Sequence, residues 1–330
     1  MRVPNIFRLV VVLFFAINLV SCDHGKSIRG PVSPAKDLKN YAFNPESPLM
    51  SRLQVIPGFV LGHLKDMDKD STYSSYSPSE KETALLAEYM DKLPALHKRV
   101  LQDRLLGIYF VQNFQGSGMA EYMLNEKDDV YTILILNPMV LKNDISKQLT
   151  YRENTCFIKD DIGLRIEVNS GSDYMGLMYI LLHEATHIVD FVLNYTPYVE
   201  DELAKIKRIK IRSTNFDKGV WTDYSKATGQ YDYPLRDKVT FYGLNKGPRI
   251  NISDALDLYR QLSNTPFVSV YASQNWAEDF ADYFTFYHLT QRLKQPYEIR
   301  YYKGSELVFS YEPMKAPKVM ERFPLMNVLY

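Results

Sequence analysis

The sequence predicts an α+β fold, in which a small mixed sheet covers a long buried helix and a helical region follows. Strand-like runs cluster in the middle of the chain, a long apolar segment follows them, and an aromatic-rich helical pattern lies near the C-terminus. The 330 residues are 46% hydrophobic and 24% charged, a balance that excludes a wholly disordered chain. Basic and acidic residues number 39 each, so no net charge directs the chain to nucleic acid, and we expect no such partner.

Residues 1–21 are predicted to be a secretory signal. Arg2 and Arg8 precede an apolar run that is shorter than the roughly 20 residues of a membrane span. The Leu-Val-Ser-Cys sequence ending at Cys22 resembles the bacterial lipoprotein box, although an ordinary signal peptide with a nearby cysteine is the alternative. The resemblance implies a lipid on Cys22 and anchoring in a bacterial cell envelope, with the membrane as a partner. Cys156 then has no disulfide partner and is expected to be a small buried core residue.

Residues 22–78 are predicted to be a lipid-anchored tether and N-terminal extension. Prolines and small polar residues punctuate residues 23–50, and a second polar stretch covers 65–79. The rest of the chain, 79–330, is predicted to fold as one domain.

Local signals place the secondary structure of that domain. Ser79 and Glu82 have the spacing of a capping box at the start of a helical pattern that reaches Val100, with a break expected at Pro94. Polar interruptions in the apolar segment 174–194 favour a buried helix over a membrane span. The remaining predicted elements are strands at 107–114, 130–136 and 163–168 and helices at 253–262 and 273–293. The basic run 205–212 is interpreted as a solvated helix face, Gly116–Gly118 as a plain turn, and the tail 301–330 receives no assignment.

The residues most informative about chemistry are His183, Glu184 and His187, which form an HExxH motif within the long helix. Residues four apart lie on one helical face, so the two imidazoles can bind one zinc ion at about 2.0–2.1 Å. Glu184 is then offset toward a metal-bound water, where it can act as general base. From this arrangement we expect Zn²⁺ as the cofactor. The alternative is a pair of buried histidines whose hydrogen bonds are satisfied by other polar groups.

A catalytic zinc needs a third protein ligand, for which Glu278 is the best candidate. Glu278 and Asp282 lie four apart on one predicted helical face, so one carboxylate can bind zinc while the other orients a histidine ligand. The alternative is that both are solvated surface acids. Other candidates for the third ligand are Asp279, His288, Asp223 and the acidic cluster 200–202.

An HExxH motif followed by a distant ExxxD on a second helix resembles the gluzincin metallopeptidases. Asp190, three residues after the second histidine, and Tyr271, seven residues before Glu278, are similar to the anthrax-lethal-factor-like branch, which includes the Pro-Pro endopeptidases. The resemblance covers about 160–293 and implies a zincin-like domain with a helical lower subdomain over 79–330. The gap from His187 to Glu278 is longer than is usual in gluzincins.

The resemblance also implies roles for single residues. His183, His187 and Glu278 would bind zinc, Glu184 would move the proton, and Tyr271 would donate to the oxyanion. Asp190 and Asp282 would orient or balance the ligands.

The predicted function is a lipid-anchored zinc endopeptidase acting on a peptide or protein substrate. An extended substrate would pair with an edge strand such as 163–168 or 130–136. Two alternatives remain open: a catalytically inactive zinc-binding lipoprotein that acts as a binding or scaffolding module, and a zinc hydrolase of cell-wall amides.

Overall fold

A computed structural model of the chain describes residues 33–160, 163–207 and 209–330. The predicted signal sequence and Cys22 lie outside the described residues. Ser33–Tyr330 form one compact unit of mixed helices and small sheets, which agrees with the predicted α+β class.

The helices of the described residues are α1 Gly58–Asp68, α2 Glu80–Asp91, α3 Ala95–Arg104, α4 Ile145–Asn154, α5 Gly176–Leu193, α6 Asp201–Ile206, α7 Ala255–Leu262, α8 Trp276–Tyr287 and α9 Pro317–Met320. The strands are β1 Ser74–Tyr76, β2 Leu105–Gln112, β3 Gly118–Leu124, β4 Val130–Leu136, β5 Phe157–Ile158, β6 Leu164–Asn169, β7 Trp221–Asp223, β8 Lys226–Ala227, β9 Ile250–Asn251, β10 Glu298–Lys303 and β11 Glu306–Tyr311.

The largest sheet has the strand order β1-β2-β4-β3. Its central pair, β2 and β4, is parallel, whereas β1 and β3 are antiparallel to their neighbours. Alternate side chains of the central strands enter two different hydrophobic clusters, as the twofold period of a strand requires. Ile108 and Leu134 face the cluster that contains α5, and Leu106 and Ile133 face the opposite cluster.

The N-terminal segment covers that second face, so the predicted tether is wrong from Ser33 onward. Ala35, Val60 and Leu64 are fully buried against the sheet, and β1 extends the sheet itself. Prolines and polar residues of this kind are typical of a linker, but here they stand among short helical turns, and Ala35, Leu49 and Met50 pack against the core. The boundary expected at residue 79 therefore does not divide the structure.

Helix α5 is the central element of the fold. Sixteen of its eighteen residues are buried, as expected for a helix packed against the sheet on one side and α8 on the other. By length and composition it could cross a membrane, but 89% of its apolar window is buried inside the structure, which is typical of a core helix.

Several local predictions are confirmed by the helix ends. Ser79 accepts a hydrogen bond from the Glu82 N–H while the Glu82 side chain accepts from the Ser79 N–H, which completes the capping box. Pro94 ends this helical region and stands as the N-cap of α3. The unassigned tail contributes the second half of β10 and all of β11, and β10 pairs with β11 on one side and with β6 on the other in a second sheet.

Two strands were predicted as possible peptide-pairing edges. Val130–Leu136 lies between β2 and β3, so both of its edges are occupied. The other, 163–168, corresponds to β6, which lies at an edge of the second sheet. The edge strands of the main sheet are β1 and β3, and β3, which was not predicted, begins at Gly118 in the segment interpreted as a turn. The two glycines at 116 and 118 are typical of a turn, so the sequence did not indicate that a strand begins at Gly118.

Candidate metal centre

Three ligand atoms meet between α5 and α8. Nε2 of His183 lies 3.1 Å from Nε2 of His187 and 3.1 Å from Oε2 of Glu278. Oε2 of Glu278 lies 3.4 Å from Nε2 of His187, which closes a nearly equilateral triangle. This group of His183, His187 and Glu278 could hold a metal ion.

The triangle fits the coordination geometry of a small divalent cation. Metal–ligand bonds of about 2.1 Å in a tetrahedron place neighbouring ligand atoms about 3.4 Å apart. The observed separations of 3.1–3.4 Å therefore match one face of a tetrahedron. Two imidazole nitrogens and a carboxylate oxygen converge on one point. A single proton placed there could not hydrogen-bond to all three of these atoms, whereas a metal ion could bind all three.

Helix α8 presents Glu278 to this point from its first turn. Asn275 is the N-cap, and its side-chain oxygen accepts a hydrogen bond of 2.9 Å from the Glu278 N–H. The helix that was expected to begin at Ser273 instead starts at Trp276, because Asn275 is extended and ends the preceding helical turn, Ala272–Gln274.

Asp282 lies one turn further along α8 and orients the first histidine. Its Oδ1 lies 3.0 Å from Nδ1 of His183. A carboxylate beside Nδ1 favours the tautomer with the proton on that nitrogen, which leaves the Nε2 lone pair free to bind a metal. This is the arrangement that the ExxxD spacing predicted.

Arg152 holds Asp282 in place and was missed by the sequence analysis. Its Nη1 lies 3.1 Å from Asp282, its Nη2 lies 2.9 Å from Glu153, and its side chain is almost completely enclosed. Tyr179 and Ser269 also donate hydrogen bonds to Asp282. The only local signal was an Arg-Glu pair on an amphipathic helix, which is typical of a solvated face.

Charged neighbours shift the pKa values of the ligand residues in opposite directions. Burial alone would lower the pKa of His183, but Asp282 and Glu278 outweigh it and raise this pKa to about 10. The Glu278 carboxyl is also buried, yet the two histidines hold its pKa well below the ordinary value. The carboxylates of Asp282 and Glu278 thus favour positive charge beside His183, where a bound cation would lie.

Glu184 faces the same cleft from the next position on α5. Burial raises its pKa, although the adjacent histidines and the Ala120 amide N–H oppose the shift. A raised pKa brings a carboxylate closer to the range in which it can both accept and return a proton.

Tyr271 and Asp190 differ in how closely they approach the ligands. The Tyr271 ring lies edge-on to the His183 ring, with 5.7 Å between centroids, and it lines the cleft. Asp190 instead accepts hydrogen bonds from the backbone N–H (2.7 Å) and hydroxyl of Thr196, so it holds the chain that leaves α5. Among the described residues no hydrogen bond joins Asp190 to His187, although the two interact electrostatically, and Nδ1 of His187 has no hydrogen-bond partner.

The other candidates for the third ligand have different positions. Asp279 pairs with Arg322 at 2.9 Å in the core, and His288 stacks on Tyr330. Asp223 belongs to β7, and the acidic cluster 200–202 begins α6, as expected for residues near a helix N-terminus.

One cleft of about 240 Å³ is lined by the three ligand residues and Glu184. Its lining also includes Gly116–Ala120 at the start of β3, Tyr242 beside Ser117, and Tyr271. Cys156 is fully buried elsewhere, and burial raises its pKa to about 12, which agrees with the predicted core role.

No protein-family model, curated protein or solved structure matches this chain. The case for a function therefore depends on the geometry of the cleft.

Proposed function

We propose that this chain is a lipid-anchored, zinc-dependent endopeptidase with a zincin-like domain. The observation that carries the proposal is the triangle of His183, His187 and Glu278 beside the Glu184 carboxylate, at the floor of a cleft that runs along a free strand edge. Each part of this arrangement serves a different step of peptide hydrolysis.

The ligand set favours zinc over other common metals. Two imidazoles and one carboxylate in a tetrahedral face are typical of catalytic zinc, which keeps its fourth position open. Magnesium and calcium prefer six or more oxygen ligands, and the three ligand atoms here include only one oxygen.

Zinc, when bound, polarises the scissile carbonyl and supplies a water whose pKa is about 7. Glu184 accepts a proton from the attacking water and returns it to the leaving amine. Asp282 keeps the His183 ring oriented through its Nδ1. Tyr271, whose ring packs against His183, is proposed to donate a hydrogen bond to the developing oxyanion.

The free edge of β3 supports a peptide as the substrate. The Asn137 N–H donates to the Ser117 carbonyl, so Ser117 is a hydrogen-bonded position of the antiparallel pair. Hydrogen-bonded positions alternate along such a pair, and the backbone groups of Gly118 and Ala120 must therefore point away from β4. The Gly118 groups and the Ala120 carbonyl face the cleft, where an extended chain can pair with them, whereas the Ala120 N–H is already directed at Glu184.

The far part of this edge is closed, which limits where a substrate can bind. Asp37 forms a bridge with Leu124 at the end of β3. The Tyr122 N–H is already satisfied by the Glu121 side chain at 3.1 Å, and Lys36 forms an ion pair with the same carboxylate. The open stretch is thus short and adjacent to the metal centre.

The test is cleavage of a peptide library by the mature chain, read by mass spectrometry, with Glu184→Gln in parallel. Both proteins should bind zinc, and only the unmutated chain should cleave. If both proteins bind zinc and cleavage does not differ between them, the peptidase proposal is contradicted. The result would then favour an inactive zinc-binding protein or a hydrolase of cell-wall amides.

The lipid anchor is tested separately with Cys22→Ala in the full-length chain expressed in a bacterium. We expect the variant to leave the detergent phase, because the lipid on Cys22 is the proposed membrane anchor. Unchanged detergent partitioning would refute the lipid on Cys22 and leave the peptidase proposal untouched.

A further inference from the structure

Tyr242 is held against the cleft in a strained conformation. Its φ of 56° lies in the left-handed region, which is uncommon for a bulky side chain. Its N–H donates to Oγ1 of Thr155 and its carbonyl accepts from Nε2 of Gln115, both at 3.0 Å. Strain of this kind persists where surrounding contacts enforce it, and it is concentrated at functional sites.

A directional chain of hydrogen bonds reaches the Tyr242 hydroxyl from the protein interior. Nδ2 of Asn143 lies 3.3 Å from Oε1 of Gln148, which turns the Gln148 amide nitrogen toward Ser117. That nitrogen donates to Oγ of Ser117 at 2.8 Å, and Oγ of Ser117 lies 3.0 Å from the Tyr242 hydroxyl oxygen. Gln148 and Ser117 are both buried, so neither exchanges these partners for water.

The burial of the two hydroxyl groups decides what the phenol can do. Ser117 accepts from Gln148, and either hydroxyl can donate in the contact between Ser117 and Tyr242, so one of the two hydroxyl protons has no partner among the described residues. Ser117 is 3% exposed whereas Tyr242 is half-buried, so the proton that can reach a bound ligand is that of Tyr242. The phenolic O–H therefore remains available as a donor in the cleft that Tyr242 lines together with His183 and Glu184.

We propose that the Tyr242 hydroxyl is a substrate-binding donor, which hydrogen-bonds a backbone carbonyl oxygen of the peptide in the cleft. This inference rests on the proposed function, because it names the chemistry by which the same cleft recognises its substrate. Tyr242 stands next to Ser117, at the start of the free edge of β3, where a paired chain presents its carbonyl groups.

Other properties of the site agree with a donor. Burial raises the pKa of Tyr242 far above neutrality, so the phenol stays protonated at every physiological pH. Tyr242 is separate from Tyr271, which comes from the turn before α8 and packs on the His183 ring. The two tyrosines therefore approach the substrate from different elements.

The first experiment measures Tyr242→Phe in the zinc-loaded protein, which keeps the ring and removes the O–H. We expect kcat/KM for a cleaved library peptide to fall on the order of 10- to 100-fold. Zinc content and melting temperature should remain those of the unmutated chain. Tyr151→Phe is the matched control, because Tyr151 packs on the Tyr242 ring at 6.2 Å between centroids but is 45% exposed. A Tyr242→Phe variant within twofold of the unmutated chain would overturn the proposal.

The second experiment reverses the hydrogen-bond chain without touching Tyr242. Gln148→Glu replaces the donor to Ser117 with an acceptor, so Ser117 must donate to residue 148 and Tyr242 must donate to Ser117. We expect a loss of kcat/KM similar to that of Tyr242→Phe, and no further loss in the double variant. Losses that multiply in the double variant would contradict the relay. If Gln148→Glu does not fold, Tyr242→Phe alone still decides the proposal.

A binding measurement separates this proposal from the proposed function. A peptidyl hydroxamate, which chelates zinc, is titrated into zinc-loaded Glu184→Gln protein with and without Tyr242→Phe. We expect about tenfold weaker binding when the hydroxyl is removed. Weaker hydroxamate binding by the Tyr242→Phe protein, without any cleavage by the unmutated chain, would contradict the peptidase proposal and retain Tyr242 as a donor. Cleavage with equal hydroxamate affinity and equal kcat/KM in both proteins would contradict only the role of Tyr242.

Discussion

Arg152 and Asp282 form a completely buried ion pair, with 3.1 Å between Nη1 of Arg152 and Oδ2 of Asp282. Through the other oxygen of Asp282 this pair reaches Nδ1 of His183 at 3.0 Å. Arg152 also lies over the Tyr271 ring, 5.0 Å from its centroid. One guanidinium therefore supports both a candidate metal ligand and the tyrosine proposed to act beside it.

Arg152→Gln should weaken both the fold and the metal site. It leaves the Asp282 and Glu153 carboxylates buried without their cation, which costs about 3–5 kcal/mol of the free energy of unfolding. Zinc affinity should fall about 10- to 100-fold, because His183 loses its oriented partner. Urea denaturation and competition with a zinc chelator measure the two effects. Arg260→Gln, at an exposed pair, is the control, and unchanged zinc affinity in Arg152→Gln would show that Asp282 orients His183 unaided.

Glu278→Gln and Asp279→Asn should separate metal binding from stability. Glu278 provides a ligand atom, whereas its neighbour Asp279 binds Arg322 and accepts from Nε1 of Trp221 in the core. We expect Glu278→Gln to lose most of the bound zinc while it keeps its fold. Asp279→Asn should retain about one zinc per chain and lose stability, because it leaves Arg322 buried without its partner. Metal analysis and thermal unfolding distinguish them, and the reverse pattern would move the third ligand.

Gly118→Ala should disturb the contact between β3 and α5. An added Cβ would lie 2.5 Å from Cγ2 of Ile180 and 3.2 Å from Cγ of Glu184, so α5 or the strand must shift. Overpacking of this kind costs about 1–3 kcal/mol, and a displaced Glu184 should also lower kcat. Gly229→Ala is the control, because a Cβ there meets no atom within 4 Å. Equal stability and turnover for both variants would show that β3 and α5 can move apart at Gly118 without a measurable cost.

His97 should make the apo protein labile to acid. Its Nε2 lies 3.1 Å from Oγ1 of Thr186, its ring stacks on Phe284, and burial lowers its pKa to about 3. The unfolded chain binds a proton near pH 6.5 and the folded chain does not, so stability falls as the pH drops from about 6.5 toward 3.

The measurement is urea denaturation of the unmutated chain and of His97→Phe, with a chelator present so that metal release does not contribute. Between pH 7 and pH 5 the unmutated chain should lose about 2 kcal/mol more than His97→Phe. His288, whose burial also lowers its pKa, is present in both proteins and cancels in the difference. Parallel pH profiles of the two proteins would mean that His97 binds its proton as readily in the folded chain as in the unfolded chain.

Features that depend on residues close together in the sequence were predicted better than features that depend on contacts between distant segments. The capping box at Ser79 and Glu82 is an interaction within one helical turn, and it forms as predicted. The covering of the sheet by residues 33–78 was missed, because a few apolar side chains among prolines resemble a linker until a surface exists for them to bury. The β3 edge was missed because a glycine is as typical of a turn as of a strand that lies close to a helix, which is the role of Gly118 here.

By itself the sequence determined that His183 and His187 share a helical face with Glu184 offset beside them, because the geometry of an α-helix relates residues four apart whatever surrounds them. It also selected Glu278 and Asp282 by the same spacing. Only the tertiary structure decided that Glu278 meets His183 across 95 residues of chain and that Arg152 meets Asp282 across 130. Contacts of that kind depend on how α4, α5 and α8 pack their apolar faces together. No local pattern encodes which buried charge will find which partner.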